Sequence, residues 1–467
     1  MPDTTQGDLI ENRTFDEMSI GETASLTHRV TQRDIDLFAT VTGDVNPAHV
    51  DPVYAAGDMF HHIIIHGMWG AGLISAVLGT LLPGPGTIYL GQDLRFRHPV
   101  AIGDSITATL TLRDKRAEKG DVTLDCVCTN QAGQIVISGT AEARAPQQKI
   151  RRPRMALPAV RVGRHSAMHA LVQRASGGLP VPTAIVHPMD AASLSAALAA
   201  AAAGLILPVL IGPAADLAAL ARALSFDIAT LRVVDTVDAA AAASAAVALA
   251  RAGEVAALMK GDLHTDVLMR AVVATAGGLR TARRISHAYL LDVPEFPRPL
   301  LVTDAAINIT PGLVQKVDIV QNAIDLAHLL GIVRPRVAIL AAVETVNHRM
   351  QATLDAAALC KMAERGQITG GQLDGPLAFD NAISAAAAAE KHIVSGVAGQ
   401  ADILVVPDLE AGNMLVKQMT FLSGAAAAGV VLGARVPIML TSRADSAATR
   451  LASCSLAVLM SRAAART

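Results

Sequence analysis

Aromatic side chains are nearly missing from this chain: of 467 residues, one is Trp, three are Tyr and eight are Phe. Ala, Leu and Val must fill the cores, and helices built from them can lie close to their neighbours. Cysteine is sparse too, at four residues with no C-x-x-C spacing, which excludes a zinc knuckle or a redox pair. Cys126 and Cys128 share one face of an expected strand, while Cys360 and Cys454 stand in apolar helical patterns. All four read as buried thiols in a reducing compartment. Charged residues are only 17% of the chain, and 39 Lys and Arg face 41 Asp and Glu, a net charge of −2. Such a balance gives no long-range field to gather nucleic acid or an anionic membrane. Neither a P-loop nor a G-x-G-x-x-G is present, which removes kinase and dinucleotide-dehydrogenase readings.

Long apolar runs are rare, and the one at Ala191–Ala215 is interrupted by Gly204, Pro208 and Gly212-Pro213. It reads as a buried helix (Ser193–Ala203) and a covered parallel strand (Leu205–Ile211) rather than a membrane span. The opening MPDTTQGDLIENRTFDEM is acidic and lacks an apolar core, so no secretory signal and a cytoplasmic location are expected.

What is present begins with TGDVNPAHVDP, Thr42 to Pro52, which sets an acid, an amide and an imidazole in one turn. Asn46-Pro47 can cap and open a short helix, since Pro is favoured at its first position and Asn just before it. Asp44 then sits on the loop and His49 in the first helical turn, near enough to share one water. Addition of water to an activated double bond needs such a pair, one group taking a proton from water and one managing the proton delivered to carbon. His66-Gly67 then opens an apolar helix rich in small residues, stopped by Pro83-Gly84. Alternating strands follow at Ile88–Phe96, Ile106–Asp114, Val122–Thr129 and Ile135–Ala143, with turn residues between them.

This pattern resembles the MaoC-like (R)-specific enoyl-CoA hydratases. The resemblance implies an α+β hot-dog domain over residues 1–147, with Asp44 and His49 as catalytic dyad. It places Asn46, His66 and Gly67 around the substrate, the backbone N–H near Gly67 polarising the thioester carbonyl. Residues 148–160 are basic, contain proline and lack periodicity; they read as a solvated linker rather than a nucleic-acid patch.

From there the grammar alternates. Candidate strands lie at Leu205–Ile211, Val255–Met259, Ala288–Leu291, Leu300–Thr303, Val337–Val343, Ile403–Val406 and Pro437–Leu440, separated mostly by Ala-rich helical segments. That argues for βαβ units and a mostly parallel sheet. Thr310-Pro311-Gly312 opens a helix whose apolar face runs through Leu313, Val317, Val320, Ile324 and Ala327. Chemistry-bearing stretches cluster just after strands: MKGDLHTDVLMR, LDGPLAFDNAIS, PDLEAGNML and LTSRADS. In open α/β sheets that edge binds ligands.

Together these stretches look like the phosphate acetyl/butyryltransferase family, nearest its butyryl branch. The resemblance covers most of residues 161–467 and implies an α/β phosphate acyltransferase domain of two parallel-sheet subdomains. Ser442 and Arg443 match the pair at the reacting centre; Arg270, after His264 and Thr265, matches a second substrate-binding Arg; Asn413 falls in the substrate-binding set. A guanidinium can clamp phosphate bidentately, as Lys cannot. Acetyltransferases carry an Asp farther along than Asp445, so the base that activates the thiol stays unassigned. No protein nucleophile is needed, because CoA thiolate can attack an acyl phosphate directly.

The combined expectation is a bifunctional enzyme using acyl-CoA, CoA and inorganic phosphate as substrates, with no bound cofactor or metal and no nucleic-acid or membrane partner. The competing reading is a hydratase with a non-catalytic, acyl-CoA-sensing transferase-like domain. Both families imply dimers, so a larger homo-oligomer, a dimer of dimers or a hexamer, is expected.

Overall fold

Period-two alternation makes the first sheet. The strand Ser105–Arg116 buries Ile106, Ala108, Leu110 and Leu112 and turns the intervening threonines the other way. Thr107 and Thr109 hydroxyls meet those of Thr27 and Ser25 on the neighbouring strand at 2.8 and 2.9 Å. In a computed structural model the five-stranded antiparallel sheet runs Thr23–Arg29, Ser105–Arg116, Asp121–Thr129, Ile135–Arg144, Ile88–Phe96. Described residues are 9–156, 160, 166–294, 296–440 and 445–465. They fall into two compact units, Met1–Val162 and Gly163–Thr467.

The helix Gly67–Thr80 packs on this sheet through Gly70, Leu73, Ile74, Val77 and Leu78. Small residues set how close it comes: a Cβ at Gly70 would lie 2.4 Å from Ile137 Cδ1. One central helix against an antiparallel sheet is the hot-dog arrangement expected from the sequence. Thr31 caps the preceding helix, Gln32–Thr42, in a reciprocal box with Asp34.

The basic stretch after this sheet is partly ordered. Arg151–Pro153 pairs antiparallel with Leu9–Glu11, and Lys149 bridges Glu11 and Glu17 at 2.9 Å each. Its hydrogen bond holds the Glu17 carboxyl down at about 2. Acidic residues at the chain's start, not solvent alone, answer this basic charge.

The second unit is built on one eleven-stranded sheet. A five-stranded parallel block runs Arg232–Asp235, Ile206–Gly212, Val181–Val186, Ala257–Lys260, Ile438–Met439. A four-stranded parallel block runs Leu300–Thr303, Ile403–Val405, Arg336–Leu340, Gln372–Leu377. Antiparallel Ala426–Leu432 and Ser286–Asp292 join them. The two expected parallel subdomains are thus two blocks of a single mixed sheet. Ala-rich helices cover it, Ala242, Ala243, Ala246 and Ala250 packing beside Ala184 and Val186. The run at Ala191–Ala215 forms the helix Ala191–Ala202 and the strand Ile206–Gly212. Among the described residues no helix is long and apolar enough to cross a membrane.

Two stretches run against local propensity. Ala426–Leu432 is a buried strand although Ala favours helix. The Asp374-Gly375-Pro376 stretch lies inside the strand Gln372–Leu377 rather than in a turn. That strand is the sheet's edge, where Pro's missing N–H costs no ladder bond.

Gly139 carries the tightest contact of the first sheet, where a Cβ would sit 1.9 Å from the Asp93 carbonyl oxygen. Gly139→Ala should destabilise this unit by about 2 kcal/mol or more, since backbone must move. The single tryptophan, Trp69, belongs to the same unit, so its fluorescence in a denaturant titration reports the change. An unshifted midpoint would show that the two strands separate freely.

Candidate functional sites

The turn before the central helix assembles as its residues dictate. Asn46 caps the short helix Pro47–Val50, its side chain accepting from Ala48 N–H. The Asp44 carboxylate accepts from Asn46 N–H at 3.2 Å, and the residue is exposed. His49 Nδ1 donates to the Ile64 carbonyl at 2.8 Å. A carbonyl can only accept, so the proton sits on Nδ1 and the lone pair on Nε2.

His66 lies against His49, ring centroids 4.0 Å apart. It is 2% exposed. By the same logic its Nε2 donates to the Asp44 backbone carbonyl at 3.0 Å, and its Nδ1 is buried without a partner among the described residues. One ring nitrogen of each histidine and an Asp44 carboxylate oxygen all lie within 4.8 Å of one another. Asp44, Asn46, His49 and His66 are therefore brought together as expected.

Beside them opens a cavity of about 300 Å³. Phe60, Ile64, Phe96, Val136 and Ile137 make most of it apolar, and His49, His66 and Gly67 close one end. No side chain caps the helix that begins at Gly67. Trp69 N–H turns back to the His66 carbonyl at 3.1 Å, while the first N–H groups, at Gly67 and Met68, have no intrahelical partner and carry the positive end of the dipole, a ready donor set for an oxygen that gains negative charge. A Cβ at Gly67 would press on the Phe96 ring at 3.1 Å.

In the second unit, sheet order decides which loops meet. Ala257–Lys260 and Ile438–Met439 are adjacent and parallel. The loop to His264 therefore leaves the same sheet edge as the segment after Leu440. Ser442 and Arg443 follow directly in sequence and lie outside the described residues. His264 stands at the start of the helix Thr265–Val273, making no side-chain cap bond. Arg270 is solvent-exposed and, among the described residues, pairs with exposed Asp266 at 3.3 Å. Such a pair is weak and leaves the guanidinium free to exchange partners.

Asn413 belongs to the other parallel block, its side chain donating to the Ala305 carbonyl at 3.3 Å. That bond ties it to Asp304, a buried carboxyl pushed up by desolvation although backbone N–H groups and Asn308 hydrogen-bond to it. Arg284 in turn donates to Asn308 at 2.8 Å. Between the blocks, Tyr289 is pushed up to about 12, by burial first and then by the charges of Asp445 and Asp304. Tyr289 thus feels both sheet edges at once. Asp304, Asn308, Arg284 and Tyr289 were not signalled by any motif; only the crossing of the sheet collects them.

Thiols play no part in this arrangement. Burial pushes Cys126, Cys360 and Cys454 up to about 12 and Cys128 to about 11. At pH 8 each is a thiolate in about one molecule in a thousand or fewer. Native protein should therefore leave Ellman's reagent almost unreacted, with all four thiols appearing on denaturation. A fast stoichiometric reaction without denaturant would contradict the burial.

Comparison with known proteins finds a different family in each unit. Residues 17–130 match the family of MaoC like domains, and residues 235–458 match the family described as Phosphate acetyl/butaryl transferase. A phosphate acetyltransferase of Rhizobium meliloti is 58% identical over 289 residues, 62% of this chain and 92% of that protein. A crystal structure of a branched-chain phosphotransacylase from Enterococcus faecalis is 28% identical, covering 60% of this chain and 99% of its own at a TM-score of 0.52. An unliganded (R)-hydratase from Pseudomonas aeruginosa is 42% identical over 33% of this chain and 99% of its own, at a TM-score of 0.33.

Proposed function

This chain belongs to the phosphate acetyl/butyryltransferase family and carries a MaoC-like domain ahead of the transferase, and from that premise we propose that it is a bifunctional acyl-CoA enzyme. One unit hydrates trans-2-enoyl-CoA reversibly to (R)-3-hydroxyacyl-CoA. The other moves acyl groups between CoA and inorganic phosphate. No resident cofactor enters this scheme, and CoA thioesters and phosphate are substrates.

The observation that carries the hydratase half is His49, oriented by Ile64 and with a ring nitrogen within 4.8 Å of an Asp44 carboxylate oxygen, lining an apolar cavity. Water held between them loses one proton to the pair as its oxygen bonds to C3 of the enoyl chain, and the pair hands that same proton on to C2, so that H and OH of one water are added across the double bond. Charge that gathers meanwhile on the thioester oxygen is met by the N–H groups at Gly67. A volume of about 300 Å³ suits a short acyl chain.

Asp44→Asn and His49→Ala should each cut crotonyl-CoA hydration at least about a hundredfold, the usual scale for acid–base groups. Both should leave phosphate acyl transfer intact, because they lie in the other unit. Hydration at the unmodified rate in either variant would remove the dyad.

In the transferase half, Arg443 is the proposed phosphate clamp, with Ser442 beside it and Arg270, His264, Thr265 and Asn413 holding substrate. CoA thiolate attacks the carbonyl carbon of the acyl phosphate and phosphate leaves with the bonding pair; the reverse reaction runs through the same intermediate. The relative quoted above is named for acetyl transfer, whereas the motifs lean to the butyryl branch. We propose short acyl groups, 3-hydroxybutyryl among them, since the reacting thioester is identical. Arg443→Lys keeps the charge but loses the planar fork, so transfer should fall at least about tenfold with phosphate use weakened more than CoA binding. Near-normal kinetics with respect to phosphate would point to another clamp. Acyl-CoA binding with no transfer at all would instead identify a sensing module. A cytoplasmic homo-oligomer completes the proposal, and light scattering at the monomer mass would contradict the assembly.

A further inference from the structure

Each imidazole beside Asp44 is oriented by its own backbone carbonyl. His49 Nδ1 donates to Ile64, and His66 Nε2 donates to Asp44. That leaves one bare nitrogen on each ring, His49 Nε2 and His66 Nδ1. The second is buried in a residue 2% exposed and has no partner among the described residues. A histidine whose far N–H is given to a backbone carbonyl is how metal ligands are commonly held, because the bond fixes both tautomer and ring direction. Here two such histidines stack, and a carboxylate stands within 4.8 Å of both.

We propose that Asp44, His49 and His66 form a binding site for a zinc-like divalent cation, which blocks hydration by taking the lone pairs that otherwise hold the reacting water. The binding half stands on geometry alone; the inhibition half rests on the hydratase reading. Two imidazoles and a carboxylate suit zinc, with bonds of ~2.1 Å and ligand atoms ~3.4 Å apart in a tetrahedron. One nitrogen of each ring and a carboxylate oxygen lie within 4.8 Å of one another, so closing on one ion takes movement of the cluster. Asp44 can supply it, because it lies on an exposed loop with one carboxylate oxygen unengaged by Asn46. The buried, unpartnered His66 Nδ1 gains a partner in the process, and a water fills the fourth position. No bond of the substrate changes, so removal of the cation restores the site.

The test uses the full chain stripped by a chelator and titrated with Zn²⁺ against a chromophoric competitor. One Zn²⁺ per chain is expected, with affinity at least about tenfold weaker in His49→Ala and in His66→Ala. Trp69 emission checks that each variant is folded. X-ray absorption of the zinc-loaded unmodified chain should show two imidazoles and no sulfur, which decides the matter if a variant does not fold. In parallel, crotonyl-CoA hydration should fall as zinc occupancy rises and return with chelator, while phosphate acyl transfer holds steady. Unchanged affinity in both histidine variants, or sulfur coordination, overturns the site. Full hydration with zinc bound overturns the inhibition. If the unmodified chain binds zinc as described but hydrates nothing, the site stands and the hydratase reading fails.

Discussion

Close approach permitted by missing side chains is the constraint on which both candidate sites depend. At the first, Gly67 and Gly70 let the central helix settle against Phe96 and Ile137, and this fixes the uncapped helix start over the cavity. At the second, a Cβ on Gly261 would lie 2.5 Å from the Val186 carbonyl, so the loop to His264 is pinned against the end of the neighbouring parallel strand. In the other block Gly412 lies so near Ala305 that a Cβ would come within 3.0 Å of its backbone. That contact seats Asn413 beside Asp304. The scarcity of aromatics and the abundance of Ala belong to the same design: helices come close enough to hold loops by backbone geometry, at a density no larger side chain would tolerate.

At the first candidate site hydrogen bonds choose the tautomers. His49 and His66 each give a proton to a carbonyl and keep a lone pair. The same device underlies both proposals, a water-activating nitrogen for hydration and a pair of bare nitrogens for a cation. Elsewhere burial silences groups. His287, fully buried in the joining strands, is pushed down to about 3 and stays neutral, and the thiols are pushed the other way. Polar action is confined to sheet edges and to one helix start.

Much of this was legible in the residues. Asn46-Pro47 opened the short helix, Thr31 capped the helix before it, and Leu300–Thr303 is a strand with the expected limits. Period two is unambiguous where one face meets water. It fails in covered sheets, which is why Val181–Val186 and the Ala-rich Ala426–Leu432 carried no strand signal. The bond from His66 to Asp44 spans 22 positions, and Asn413, on the helix Leu409–Phe421, reaches the Ala305 carbonyl across 108. Such pairings follow from topology, which no local pattern encodes. The basic stretch before residue 154 looked like open linker because its partner, Leu9–Glu11, lies at the far end of the unit.

The central claim is that one chain carries two chemistries on acyl-CoA. Its most direct measurement supplies one purified preparation with crotonyl-CoA, first alone and then with phosphate. Loss of the conjugated enoyl absorbance follows hydration, and a thiol reagent follows CoA release. The account predicts hydration without phosphate, yielding the (R)-alcohol, and CoA release only once phosphate is added. Absence of either reaction from a folded chain that performs the other would contradict it.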